Sequence, residues 1–145
     1  MNELLDALAP YVNRFCGPIA LSDGPDAAQE ALIAIFRGLK GLREPDALYG
    51  WARSIAVREA VRVAKRRIPA AEFDDELPSR QDVERAADVR DVLARLSPEH
   101  RAVLVLRDLE GLDEQRAAEL LSVPVGTIKS RLSRARDNFR KAWSS

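Results

Sequence analysis

The chain has one cysteine, Cys16, and one histidine, His100, among 145 residues. One cysteine excludes a disulfide scaffold and a cysteine-rich zinc site. One histidine excludes a multi-histidine metal centre. A Cys–His nucleophilic pair would require these two distant residues to meet. Aromatic residues are scarce, at 6%. No apolar run approaches the roughly 20 residues that span a bilayer. Met1 to Asp6 lack the basic and apolar segments of a signal peptide. A cytoplasmic protein without membrane insertion is therefore expected. Paired catalytic carboxylates, a glycine-rich phosphate loop and a nucleophile motif are missing, so neither an enzyme nor a bound cofactor is expected.

Net charge is absent too, with 23 basic and 23 acidic side chains. That excludes a uniformly basic nucleic-acid coat and a polyacidic disordered chain. The distribution is uneven. Residues 1–67 hold 10 basic and 8 acidic groups, residues 68–91 hold 3 and 8, and residues 92–145 hold 10 and 7. The last 21 residues alone hold 6 basic groups and 1 acidic. The middle block contains Pro69, Pro78 and the acidic run Glu72 to Glu76, with no helical apolar stripe. It reads as a linker. The expected domains are 1–67 and 92–145, with 68–91 holding the linker and the start of a helix.

What is there reads helical. No segment alternates with the period of a strand. Apolar spacing and capping signals predict helices over about 2–16, 25–41, 46–67, 82–96, 98–110, 114–121 and 125–142. Pro25 and Pro98 suit first turns, and Ser97 and Asp113 suit N-caps. The fold class is all-α, two small helical domains joined by a flexible acidic linker. Cys16 reads as a small core residue, and His100 as structural or surface.

The helix over 114–121, the break at Ser122-Val123-Pro124 and the helix over 125–142 form a helix-turn-helix pattern. At about 100° per residue, Val125, Ile128, Leu132, Ala135 and Phe139 make a buried stripe. Gly126, Ser130, Ser133, Arg134 and Asp137 lie opposite, with Thr127, Lys129, Arg131 and Arg136 on the flanks. Arg and Lys can donate to guanine edges, Ser is adaptable, and flanking Thr and Arg can hold phosphates. The alternative is a solvated, charged surface helix.

Leu96-Ser97-Pro98-Glu99-His100-Arg101-Ala102-Val103, Asp113 to Leu121, and Pro124-Val125-Gly126-Thr127-Ile128-Lys129-Ser130-Arg131-Leu132-Ser133-Arg134-Ala135-Arg136 resemble domain 4 of the bacterial extracytoplasmic-function sigma factors. Asp113 stands for the usual Ser, Ala117 for Ile and Ser122 for Gly. In residues 1–67, Asp26-Ala27-Ala28-Gln29-Glu30-Ala31-Leu32, Trp51 with Ser54-Ile55-Ala56, and Lys65-Arg66-Arg67 resemble sigma domain 2. The family usually begins with one more short helix before the segment matching Leu4-Leu5. The loop Gly41 to Asp46 matches its −10 specificity loop in position.

The resemblance implies a transcription initiation factor that binds core RNA polymerase and directs promoter recognition and opening. Thr127, Lys129, Ser130, Arg131, Ser133, Arg134 and Arg136 would meet −35 duplex. Asp26, Gln29, Glu30 and Ile33 share one polar face, which in the family holds the polymerase β′ coiled coil. The β flap, promoter DNA and an anti-sigma factor are the other implied partners. Trp51, Arg58, Arg62 and Lys65 share a basic face that suits a melted −10 strand, cations on phosphates and a ring for stacking. Arg58 and Arg62 replace the family's usual Asn and its Asp or Asn. The alternative is that Trp51 is simply core and the arginines are solvated; for the α2 face it is an ordinary wet surface. The linker would run through the polymerase active-site and RNA-exit channels. Two other functions fit less of the pattern: a sigma-like decoy for an anti-sigma factor, and a stand-alone helix-turn-helix regulator.

Overall fold

The first 67 residues fold around three helices: α1, Asn2–Ala20; α2, Gly24–Gly38; and α3, Leu48–Arg67. The computed structural model describes residues 2–67 and 89–144. By its internal contacts the chain divides into two units, Met1–Arg67 and Ile68–Ser145. All regular structure among the described residues is helical, so the fold is all-α in two small units. The acidic run Glu72 to Glu76 and the expected helical start at 82–88 lie outside the described residues.

The first helix is longer than its sequence suggests. α1 continues past Cys16 to Ala20, with Pro10 and Pro18 inside it. Each proline removes a backbone donor. Ile19 and Ala20 are buried, and that anchors the extra turn. Conversely, α2 ends at Gly38, and 39–41 tighten into a 3₁₀ turn.

The core of this unit pairs large residues of α1 with small ones of α3. Leu8, Val12, Phe15, Cys16 and Ile19 are fully buried, as are Ala52, Ala56 and Ala60. The alanines recur every four residues, leaving a shallow groove in which α1 approaches closely. Cys16 Sγ lies 3.6 Å from the Ala56 carbonyl oxygen. Burial, and secondarily the charge of Glu59, pushes its thiol up to about 12. It is a core residue, as expected from its neighbours.

The second unit contains α4, Val89–Leu93; α5, Pro98–Leu104; α6, Glu114–Leu121; and α7, Val125–Ser144. Ser97 Oγ accepts from the His100 amide at 3.2 Å, capping α5. The expected helix over 98–110 changes pitch: 105–109 widen into a π turn. Glu110 N–H reaches the Val105 carbonyl at 2.8 Å, and Leu112 N–H reaches Leu106 at 2.9 Å. Arg107 Nη1 bonds the Leu112 carbonyl at 2.5 Å, filling an acceptor beyond the turn. Arg101 is 2% exposed. Its Nη1 donates to the Leu96 carbonyl at 2.5 Å, and burial pulls its guanidinium down to about 10.

Candidate functional site

The helix-turn-helix is assembled from local signals. Asp113 Oδ1 accepts from the Arg116 amide at 2.7 Å, so aspartate caps α6 as serine would. α6 closes at Ser122, which adopts φ +57°, ψ +44°. That is the left-handed region, where glycine is the low-cost residue. The Val123 amide then returns to the Ala118 carbonyl at 3.1 Å, and Pro124 leads into α7.

Ile128, Leu132, Ala135 and Ala142 form the buried stripe of α7. Val125 does not join it. It is 38% exposed, at the first position of the helix. Phe139 is only partly buried, against Val92 and Ala142. Lys129, Ser130, Ser133, Arg134 and Arg136 are exposed, and Thr127 and Arg131 are half-buried. Among the described residues, Lys129, Arg131 and Arg134 enter no salt bridge.

Arg136 differs. Its Nη2 and Nε donate to Asp108 Oδ1 and Oδ2 at 2.6 and 3.0 Å. The hydrogen bond from Arg136 holds the Asp108 carboxyl below the usual carboxylate range. The same bond pushes the guanidinium up. Two of its five N–H groups are thus committed to the protein.

On α2, Asp26, Gln29 and Ile33 are exposed together, with Ile33 at 43%. Glu30 is half-buried, because it reaches across to α3. It pairs with Arg66 at 2.9 Å and lies 3.5 Å from Arg62. An open apolar groove of about 650 Å³ adjoins this face, lined by Leu5, Asn13, Pro25, Ala28, Gln29, Leu32, Ile33 and Phe36. Phe36, 45% exposed, was missed in the sequence. The available signal was its place one turn beyond Ile33.

On α3 the expected basic face is surface, but its members are engaged. Arg58 folds back onto Ser54, bonding its carbonyl at 3.1 Å and its hydroxyl at 3.2 Å. Arg62 bonds Glu59 through Nε at 2.8 Å, and through Nη2. The Glu59 hydrogen bond is the main cause holding its guanidinium above the usual range. Trp51 is half-buried. A Cβ added at Gly38 would lie 2.6 Å from its Cζ2. The benzo edge of the indole therefore abuts Gly38 at the end of α2, which ties it to packing. No cluster of candidate metal ligands occurs among the described residues. No helix among them is long and apolar enough to cross a membrane.

Two helical units, one of them built on a helix-turn-helix, define a class of all-α helix-turn-helix protein. The family described as Sigma-70, region 4 matches residues 86–138. The chain is 35% identical over 140 residues to the RNA polymerase sigma-H factor of Pseudomonas aeruginosa. That match covers 83% of this chain and 72% of the relative. It is 31% identical over 150 residues to the ECF RNA polymerase sigma-E factor of Escherichia coli K12, covering 90% and 77%. The chain belongs to the extracytoplasmic-function family of RNA polymerase sigma factors, which are transcription initiation factors. Its fold resembles that of the sigma factor RpoE from Bartonella quintana, solved in complex with the anti-sigma factor NepR. The TM-score is 0.69 at 21% identity, over 99% of this chain and 96% of that one.

Proposed function

We propose that the two units divide promoter recognition between them, with no catalysis of their own. Residues 1–67 act as sigma domain 2. Asp26, Gln29, Glu30 and Ile33 meet the β′ coiled coil of core polymerase. Trp51, Arg58, Arg62 and Lys65 face the melted −10 strand. Residues 92–145 act as sigma domain 4, binding −35 duplex through α7 and the β flap elsewhere. The protein works in the cytoplasm, and an anti-sigma factor restrains it.

The observation that carries this reading is the polarity of α7. Its inner stripe is buried, while Lys129, Ser130, Ser133 and Arg134 project together from the exposed side. Arg134 is the longest donor on the side opposite Ile128 and Leu132, and arginine suits two-point contact with guanine. Arg131, nearer the flank, is placed for phosphate. Arg134→Ala should cost about 1–3 kcal/mol at the cognate −35 element and relax preference at one position. Thermal stability should hold, because the side chain is exposed. The test is holoenzyme binding and transcription on a panel of single-base −35 variants. Equal losses across the panel would remove Arg134 from base reading.

A further inference from the structure

Of the α7 cations expected at DNA, Lys129, Arg131, Arg134 and Arg136, the last alone is salt-bridged among the described residues. Its partner, Asp108, belongs to the π turn over 105–109. Wide turns of this kind recur at functional sites. Arg136 follows Lys129 by seven positions, two turns along the same edge of α7. Asp108 takes Nε and Nη2, which form one side of the guanidinium. Nη1 and the second N–H of Nη2 form the end of the fork, directed away from that carboxylate. A phosphate accepts two parallel N–H bonds from such an end. The side chains of Arg136 and Asp108 are 44% and 38% exposed, so a DNA backbone can reach the pair.

Two effects of Asp108 oppose each other. Its charge repels a phosphate. Its hydrogen bonds order a long side chain that would otherwise lose much rotamer freedom on meeting DNA. The guanidinium stands between the two anions, so each lies nearer to the cation than to the other anion. Both contacts are then attractive, and the ordering prevails. Glu114 acts on the same guanidinium through charge without a hydrogen bond, so it attracts Arg136 without orienting it.

We propose that Asp108 is a positioning residue for promoter binding: it fixes the Arg136 guanidinium so that the free end of its fork meets a backbone phosphate of the −35 duplex. This rests on the reading of α7 given above, and adds to it an acidic residue that helps to bind DNA. The two roles of Arg136, fastening and phosphate contact, are then carried by different edges of one guanidinium and do not compete.

The experiment measures binding of reconstituted holoenzyme to a promoter duplex across a series of salt concentrations. Asp108→Asn removes an acidic charge beside DNA, yet it should weaken binding by about three- to tenfold, the scale of one coupled pair. The salt slope should fall by about one, the count of one lost phosphate, with base preference at −35 unchanged. Asp108→Glu, which keeps the carboxylate, should recover part of the loss. In an Arg136→Gln background Asp108→Asn should cost nothing further. Glu114→Gln removes a charge of the same sign and should not weaken binding. Unchanged or tighter binding by Asp108→Asn would make Asp108 a competing charge and overturn the proposal. So would equal Asp108→Asn losses in the wild-type and Arg136→Gln backgrounds, which mark an effect on the fold, or an equal loss from Glu114→Gln. Failure of the underlying reading has its own signature and overturns the proposal with it: Arg134→Ala and Arg136→Gln would both leave affinity unaltered.

Discussion

Asp108, on the π turn, holds Arg136 of α7 through two hydrogen bonds, joining residues 28 positions apart. A residue expected to serve phosphates is therefore also a fastening between the turn and α7. Arg136→Ala should lower stability by about 0.5–1 kcal/mol, the range of a well-formed exposed pair. It should weaken −35 binding without changing base preference. Asp108 has a depressed pKa. Its contribution is present above the ordinary carboxylate value and fades as pH falls through the folded value. Asp108→Asn should therefore flatten the acid limb of the stability curve. A double-mutant cycle in thermal denaturation at pH 7 and pH 3 checks both.

Gly38 admits the Trp51 ring where a Cβ would lie 2.6 Å from it. Gly38→Ala should cost about 1–3 kcal/mol through overpacking, despite the better helix propensity of alanine. The indole must move, so its fluorescence should shift with the loss of stability. The readout is a urea titration in a Trp143→Phe background. An unshifted emission maximum would mean that the ring does not pack on Gly38.

Ser122 occupies the left-handed region at φ +57°. Ser122→Gly should stabilise the second unit by about 1 kcal/mol, since glycine carries no Cβ penalty there. Ser122→Val should destabilise it by more. The urea midpoint should rise for the first variant with an unchanged slope, which locates the effect in stability.

Cys16 has its thiol pushed up to about 12 from the usual 9.0 by burial. Its ionisation is suppressed in the folded chain. Alkylation at pH 8 should be at least a hundredfold slower in native than in unfolded protein. A raised thiol pKa also sets a sign. Its contribution is full below pH 9.0 and is lost as pH rises toward 12. Cys16→Ala should therefore remove part of the alkaline instability. Mass spectrometry after timed alkylation, and melting at pH 7 and pH 10, are the measurements.

The elements most legible in the sequence are those whose signals are local. Ser97 and Asp113 cap α5 and α6 as their residue types predict. Ile128, Leu132 and Ala135 fall on the buried side of α7 because a period of 3.6 decides it. Val125 shows the limit of that rule. It has the right phase but is 38% exposed, on the first turn of α7.

Residue order determined where the helices lie, the caps at Ser97 and Asp113, the helix-turn-helix and the family, because each is written in neighbours within a few positions; the ends of α1 and α2 and the π turn at 105–109 were not. Tertiary structure decided the long-range fate of the charges, at Arg136 and Glu30, while Arg58 and Arg62 find partners three or four residues away in their own helix. Arg58, Arg62 and Arg136 look equivalent as cations on helix faces. In the fold, Arg58 bonds its own helix, Arg62 is held by Glu59, and Arg136 is fastened to Asp108. Glu30 reads as one more acid on a wet face until α3 brings Arg66 to it, 36 residues away. Helical periodicity records which side of a helix is apolar. It holds no information about which distant side chain will stand opposite, and the energy of an ion pair depends on that distance.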